Sequence, residues 1–201
     1  MSVMFRSLPD AAGALLATFA AALMLGCAGT SAPVQLYQMR ATAPVAVPNK
    51  NPTAAVWQLA TPVKLPDYLD QTAVLVPQGH AGLLALPGQR WAEPLRESVP
   101  RLLRADLALL LGEAQVWSAP VPANVLVSKL LRVELLALES NAARSAVTVQ
   151  ARWSIADPAG RVPPVVQTAQ ISVPSANAEV DSLVAAHRLA LWRLAERIAA
   201  P

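Results

Sequence analysis

Cys27 has the clearest chemical capacity in this 201-residue chain: it is a lone thiol directly after Gly26, closing an apolar run that begins near Ala11. A thiol in that position reads as an attachment point for lipid. With no second cysteine the chain forms no internal disulfide, so its core must hold without a covalent cross-link. Other reactive side chains are poorly placed. Of the two histidines, His80 reads as a solvated residue of a hairpin loop and His187 as a boundary residue of the last helix. Neither has a ligand neighbour at metal spacing. Asp67 and Asp70 could pair as carboxylates, but their loop setting beside Pro66 favours turn stabilisation over proton transfer. No G-x-S-x-G elbow, P-loop, dinucleotide fingerprint or zinc motif occurs. The residues therefore predict no enzyme, no catalytic residue, no metal and no cofactor beyond a covalent lipid on Cys27.

The segment before Cys27 has the parts of an export signal: a short start with Arg6, an apolar middle from Ala11 to Leu25, and small residues at the cut. Met24-Leu25-Gly26-Cys27 resembles the lipobox of bacterial lipoproteins, whose cysteine is acylated and becomes the mature N-terminus. The physics of such an anchor is simple. Each buried methylene contributes about 0.8 kcal/mol, one acyl chain binds marginally, and two or more hold stably. The next residue is Ala28 rather than aspartate, which in the lipoproteins it resembles implies transfer to the outer membrane. The expected organisation is a lipoprotein signal over 1–26, a lipidated tether over 27–34, and a single periplasmic domain over 35–201.

A hydrophobic content of 54% would suit a membrane protein, but much of it is alanine and part belongs to the leader. No later stretch reaches the roughly 20 apolar residues of a spanning helix. The net charge of +3 is small and its basic residues are scattered, which argues against a nucleic-acid partner.

The elements follow from periodicity. Leu36 to Met39 and Val56 to Leu59 read as short strands, separated by a proline- and alanine-rich connection over 41–52. Ala73 to Val76 and Leu83 to Leu86 read as a hairpin closed by a Pro87-Gly88 turn. Trp91 to Pro94 opens a helix with Pro94 in its first turn. Leu95, Val99, Leu103, Leu107 and Leu110 make its apolar stripe, Gly112 ends it, and Pro100 predicts a kink near Arg96. A strand over 115–117 follows. Alternation then gives three strands, over 125–138, 147–155 and 169–173, as an antiparallel meander with a turn at Asp157-Pro158-Ala159-Gly160. The last helix has Asn177 as its cap and buries Val180, Val184, Leu191, Leu194 and Ile198. The fold class is α+β: an antiparallel or mixed sheet with two main helices packed on one face.

Two segments carry a family resemblance. Leu65-Pro66-Asp67-Tyr68-Leu69-Asp70, followed about twenty residues later by Arg90-Trp91-Ala92-Glu93-Pro94-Leu95, resembles the PqiC-like (YmbA-like) ABC-type transport auxiliary lipoproteins. The order of lipobox, early strand, paired motifs, tryptophan-bearing strand and C-terminal helix is similar too. The resemblance implies a non-catalytic subunit on the periplasmic face of the outer membrane. Its expected partner is an MCE-domain protein of a system that moves lipids or other hydrophobic molecules, and a homo-oligomer is compatible with it. Within the motifs, Trp91 and Tyr68 serve either as a structural staple or as a partner surface. The alternative function is a stand-alone lipid-binding lipoprotein of the outer membrane, which predicts an enclosed apolar cavity between sheet and helices.

Overall fold

Two β-sheets and two helices share one apolar core in the computed structural model, which describes residues 33–45 and 53–200. Cys27, the expected leader and most of the tether lie outside the described residues. The larger sheet is built from β2 (Trp57–Leu59), β5 (Val116–Ser118), β6 (Lys129–Ser140), β7 (Ala146–Ala156) and β8 (Val165–Pro174), in the order β5-β2-β6-β7-β8. The pairs β6–β7 and β7–β8 are antiparallel, as the alternation predicts, whereas β2 runs parallel to both β5 and β6. The smaller sheet holds β1 (Gln35–Tyr37), β3 (Ala73–Gln78) and β4 (Gly82–Trp91), in the order β1-β4-β3. The fold is α+β, with its strands divided between two sheets.

Alternation on β7 explains the core directly. Val147, Val149, Ala151 and Trp153 are buried, while Thr148, Gln150, Arg152 and Ser154 face the other way, because successive strand residues point to opposite faces. On β6 the phase slips. Leu131, Val133 and Leu135 are buried, a bulge intervenes, and Leu138 and Ser140 are the next buried residues, with Leu136 left exposed. A second bulge corrects the expectation at Pro87-Gly88. Ala73 pairs with Arg90 and Leu75 with Ala85, so Leu86 to Gln89 bulge out and the strand continues to Trp91. Gly88 sits at φ +70°, a conformation glycine adopts without the Cβ penalty. Pro-Gly here bends a strand instead of ending one.

Helix α1 (Leu95–Leu111) begins one step after Pro94, which occupies the N-cap position, so Trp91 belongs to β4 and not to the helix. It runs unbroken through Pro100 and stops at Gly112, whose φ is +113°. Pro100 can only delete the bond to the Arg96 carbonyl, close to the end whose first four N–H groups lack partners in any case. Helix α2 (Val180–Ala199) is capped differently from the expectation. Glu179 is its N-cap, and Asn177 Oδ1 accepts the Glu179 N–H at 2.9 Å, closing the turn that leads in. Leu183, Ala190, Leu191, Trp192 and Leu194 on α2 are fully buried against α1 and the large sheet, where Trp153 also lies.

A buried ion pair ties the helices together. Arg188 of α2 grips Asp106 of α1 with two parallel hydrogen bonds, one of them Nη1 to Oδ2 at 2.7 Å, and both side chains are almost fully enclosed. The same guanidinium donates through Nε to the Arg40 carbonyl at 2.7 Å. The chain after β1 is thereby fastened to both helices. The first strand ends at Tyr37, and Met39, expected within it, is instead buried in the core.

Candidate functional site

The two motif segments of the sequence meet in space. Lys64 lies beside Glu134 of β6, its N–H bonding to the Val133 carbonyl at 3.2 Å and its carbonyl accepting from Leu135 at 2.8 Å. Pro66, with φ near −60°, then turns the chain into a single 3-10 turn, Asp67–Leu69. The Leu69 and Asp70 N–H groups close it on the Pro66 and Asp67 carbonyls, each at 3.0 Å. Leu69 is driven into the core while Asp67 and Asp70 stay outside.

Arg90 to Leu95 arrives from the other side. The Trp91 N–H bonds the Thr72 carbonyl at 2.7 Å and the Ala92 N–H bonds the Tyr37 carbonyl at 2.8 Å. Arg90 Nη1 donates to Thr72 Oγ1 at 3.1 Å. Arg96, one residue past the second motif, pairs with Asp70 of the first. Glu93 accepts from Gln38 at 3.2 Å and also pairs with Arg101. The segment from Arg90 to Arg96 is thus stitched to β1, to the entry of β3 and to the first motif.

Below this polar seam the apolar residues interlock. Trp91 and Leu95 are buried, and the indole meets the His187 ring edge-on at 5.6 Å between centroids. His187 is not the boundary residue its sequence position suggests. It is enclosed, with Nδ1 at 2.7 Å from the Leu183 carbonyl, so Nδ1 carries the proton as donor. Burial pulls its pKa below the ordinary histidine value, and the Leu183 carbonyl offsets this in part. Tyr68 is half-buried. Burial first, and the Glu139 carboxylate second, push its phenol up, and its Oη lacks a hydrogen-bond partner among the described residues. The void left between Tyr68, Trp91 and His187 is only ≈ 20 Å³, about enough for one water molecule.

The sequence-derived site residues therefore divide by environment. Leu69, Trp91 and Leu95 are core; Leu65, Pro66, Tyr68 and Glu93 are half-buried; Asp67, Arg90, Ala92 and Pro94 are exposed. Asp70 pairs with Arg96 through one carboxylate oxygen. His80 is exposed in the hairpin turn, far along the chain from any partner at ligand spacing. Among the described residues no group of three histidine, cysteine or acidic side chains converges as a metal site. Cys27 lies outside those residues. No helix among them is long and apolar enough to cross a membrane.

Sequence reasoning missed the Asp106–Arg188 pair. Its signal was present: Asp106 lies three residues after Leu103, and Arg188 lies four after Val184 and three before Leu191, so each charge interrupts the buried stripe of its helix. Burial pushes the Asp106 carboxyl up, and Arg188 works against that shift.

The protein-family model described as "ABC-type transport auxiliary lipoprotein component" matches residues 37–199. Two solved structures are similar. One, an uncharacterized protein, shares 17% identity at a TM-score of 0.67, covering 83% of this chain and 97% of its own. The other, a Xanthomonas campestris protein assigned to the DUF330 family, shares 18% identity at 0.66, covering 83% and 93%. At such identities the likeness speaks to fold alone. No curated protein matches the sequence significantly.

Proposed function

Because the chain belongs to the ABC-type transport auxiliary lipoprotein family, we propose that it is a lipid-anchored accessory subunit of an MCE-type envelope transport system, held at the periplasmic face of the outer membrane through acylated Cys27. The family gives the transport role its support. The single observation that carries the anchoring is the lone thiol after Gly26 at the end of an apolar leader, ahead of a body that starts its first strand at Gln35. A few residues of tether separate the two, short enough to keep the body near the bilayer surface.

Nothing in the arrangement of the motif residues calls for bond-making chemistry. The paired motifs act as a staple: Trp91, Leu95 and Leu69 supply buried area, and the ion pairs Asp70–Arg96 and Glu93–Arg101 lie above it. A rigid body of this kind suits an adaptor that must present fixed surfaces to a larger machine conveying lipids or other hydrophobic molecules. An acyl chain carried inside the fold is not favoured. The layer between the large sheet and the helices is occupied by Trp153, Trp192, Leu183 and Leu191, each fully buried.

The test is Cys27→Ala. The variant is expected to leave the membrane fraction while retaining the far-UV circular dichroism of the parent, and mass spectrometry of the parent's N-terminal peptide should show diacylglyceryl and acyl additions on Cys27. A variant that stays on the membrane after leader removal, or an unmodified Cys27, would refute the anchor.

A further inference from the structure

The face of the large sheet turned away from the helices carries a groove of ≈ 440 Å³, a volume within the range of about 300–1,000 Å³ typical of small-molecule sites. Its position follows from strand register. Lys64 lies against Glu134, Glu134 lies opposite Arg152, and Arg132 lies opposite Ser154, which in turn faces Val166. Strand alternation puts these side chains on one face, because their neighbours Leu131, Val133, Ala151 and Trp153 are buried on the other. Pro62 closes the groove on one side, and Pro164 with Val166 closes it on the other.

Three cations, Lys64, Arg132 and Arg152, meet one carboxylate, Glu134, in this groove. None of the four forms an ion pair of ordinary distance among the described residues, although Asp157 and Arg161, at the nearby turn, do pair with each other. The groove therefore holds an uncompensated positive excess. Cations set in a concave surface with low-dielectric walls concentrate anions more strongly than cations on a convex one. Two guanidiniums add planar, forked donors suited to phosphate or carboxylate oxygens. Apart from Thr61 and Ser154 the remaining lining is apolar, and it includes Val166, which is 49% exposed. A simple anion would leave that apolar part unused.

We infer that this groove binds an anionic amphiphile, with a phosphate or carboxylate head seated by Arg132, Arg152 and Lys64 and a hydrocarbon portion laid against Pro62, Pro164 and Val166. The inference stands on the charge and lining of the groove and does not depend on the transport reading. The head supplies the charge that the three cations lack, and the hydrocarbon removes the exposed Val166 surface from water.

Isothermal titration calorimetry on the full chain, held in phosphatidylcholine nanodiscs, tests this with three probes: octyl phosphate, inorganic phosphate and octyl glucoside. Octyl phosphate is expected to bind saturably, more tightly than either of the others. The double substitution Arg132→Gln, Arg152→Gln should weaken it by at least about tenfold, the loss expected from removing charge-assisted hydrogen bonds, with the thermal midpoint unchanged because both side chains are exposed. Inorganic phosphate binding as tightly as octyl phosphate would overturn the amphiphile in favour of a bare anion seat. Equal binding of octyl glucoside would overturn the role of charge. No saturable heat beyond that of empty discs, or an unaltered affinity in the double variant, would overturn the site itself.

Discussion

The two faces of the large sheet are built from the same strands, yet they do different work. On the covered face Val147, Val149, Ala151, Trp153, Leu131 and Val133 meet α1 and α2 with almost no exposed surface. On the open face the interleaved residues, Arg132, Glu134, Arg152 and Thr168, stay in contact with water, together with Val166 at 49% exposure. A polar outer face is ordinary for an antiparallel sheet. Cations in a walled groove beside exposed Val166 are not. Stability is concentrated on one side of the sheet, leaving the other free to vary its chemistry without unfolding the protein.

Substitutions should respect that division, and the largest expected effect lies beneath the covered face. Asp106→Ala leaves Arg188 buried and unpaired, and should cost about 3–5 kcal/mol in urea-monitored unfolding. Replacing both partners together, Asp106→Leu with Arg188→Met, should recover much of that loss, since apolar groups of similar volume tolerate the site. Leu191→Ala, also on the covered side, should cost about 2–5 kcal/mol by opening a cavity among rigid neighbours. If the double replacement were as damaging as the single one, the pair would be supplying more than mutual neutralisation.

His187 gives the covered side a pH dependence. Its pKa is lowered in the folded state, so the unfolded chain takes up the proton first as pH falls. Stability is full above the ordinary histidine value of about 6.5 and declines as pH drops below it, until the folded-state value is reached. Unfolding midpoints measured between about pH 7 and pH 5 should fall for the parent, and His187→Leu should remove the part of that slope due to this residue. An identical slope in both proteins would place the titration elsewhere.

Smaller effects are expected outside the core. The Arg96–Asp70 pair joins the two motifs across exposed ground, with side chains 61% and 46% accessible, so Arg96→Ala should cost no more than about 1 kcal/mol, and less at high salt. Arg152→Ala on the open face should change stability by no more than about 0.5 kcal/mol. A loss of several kcal/mol there would mean that the open face also carries the fold.

The covered face was the legible part of the sequence. Uninterrupted alternation from Val147 to Ile155, the stripe from Leu95 to Leu110 and the Asp157–Gly160 turn each state a local rule that the fold obeys, and the antiparallel meander follows from them. The division into two sheets was not legible, because it depends on β2 pairing in parallel with both β5 and β6, a choice made by distant segments. The bulges at Leu136 and Pro87-Gly88 were hidden for a related reason: a phase slip of one residue looks like an imperfect pattern until its partner strand is known. Of the candidate site, the motif residues were found, but their convergence was not, since Asp70–Arg96 and Trp91–His187 bring together residues far apart in the chain. The groove was the least visible. Arg132, Glu134 and Arg152 each look like a solvated strand residue, and only the register places them beside Lys64.

The transport role proposed for the protein requires that it work as one part of a larger envelope assembly. Affinity purification of the full chain from crosslinked, detergent-solubilised envelopes tests that most directly. The expected result is co-recovery of an MCE-domain protein with its permease, in amounts comparable to the chain itself; recovery of the chain alone, from extracts in which other envelope complexes stay intact, would contradict it.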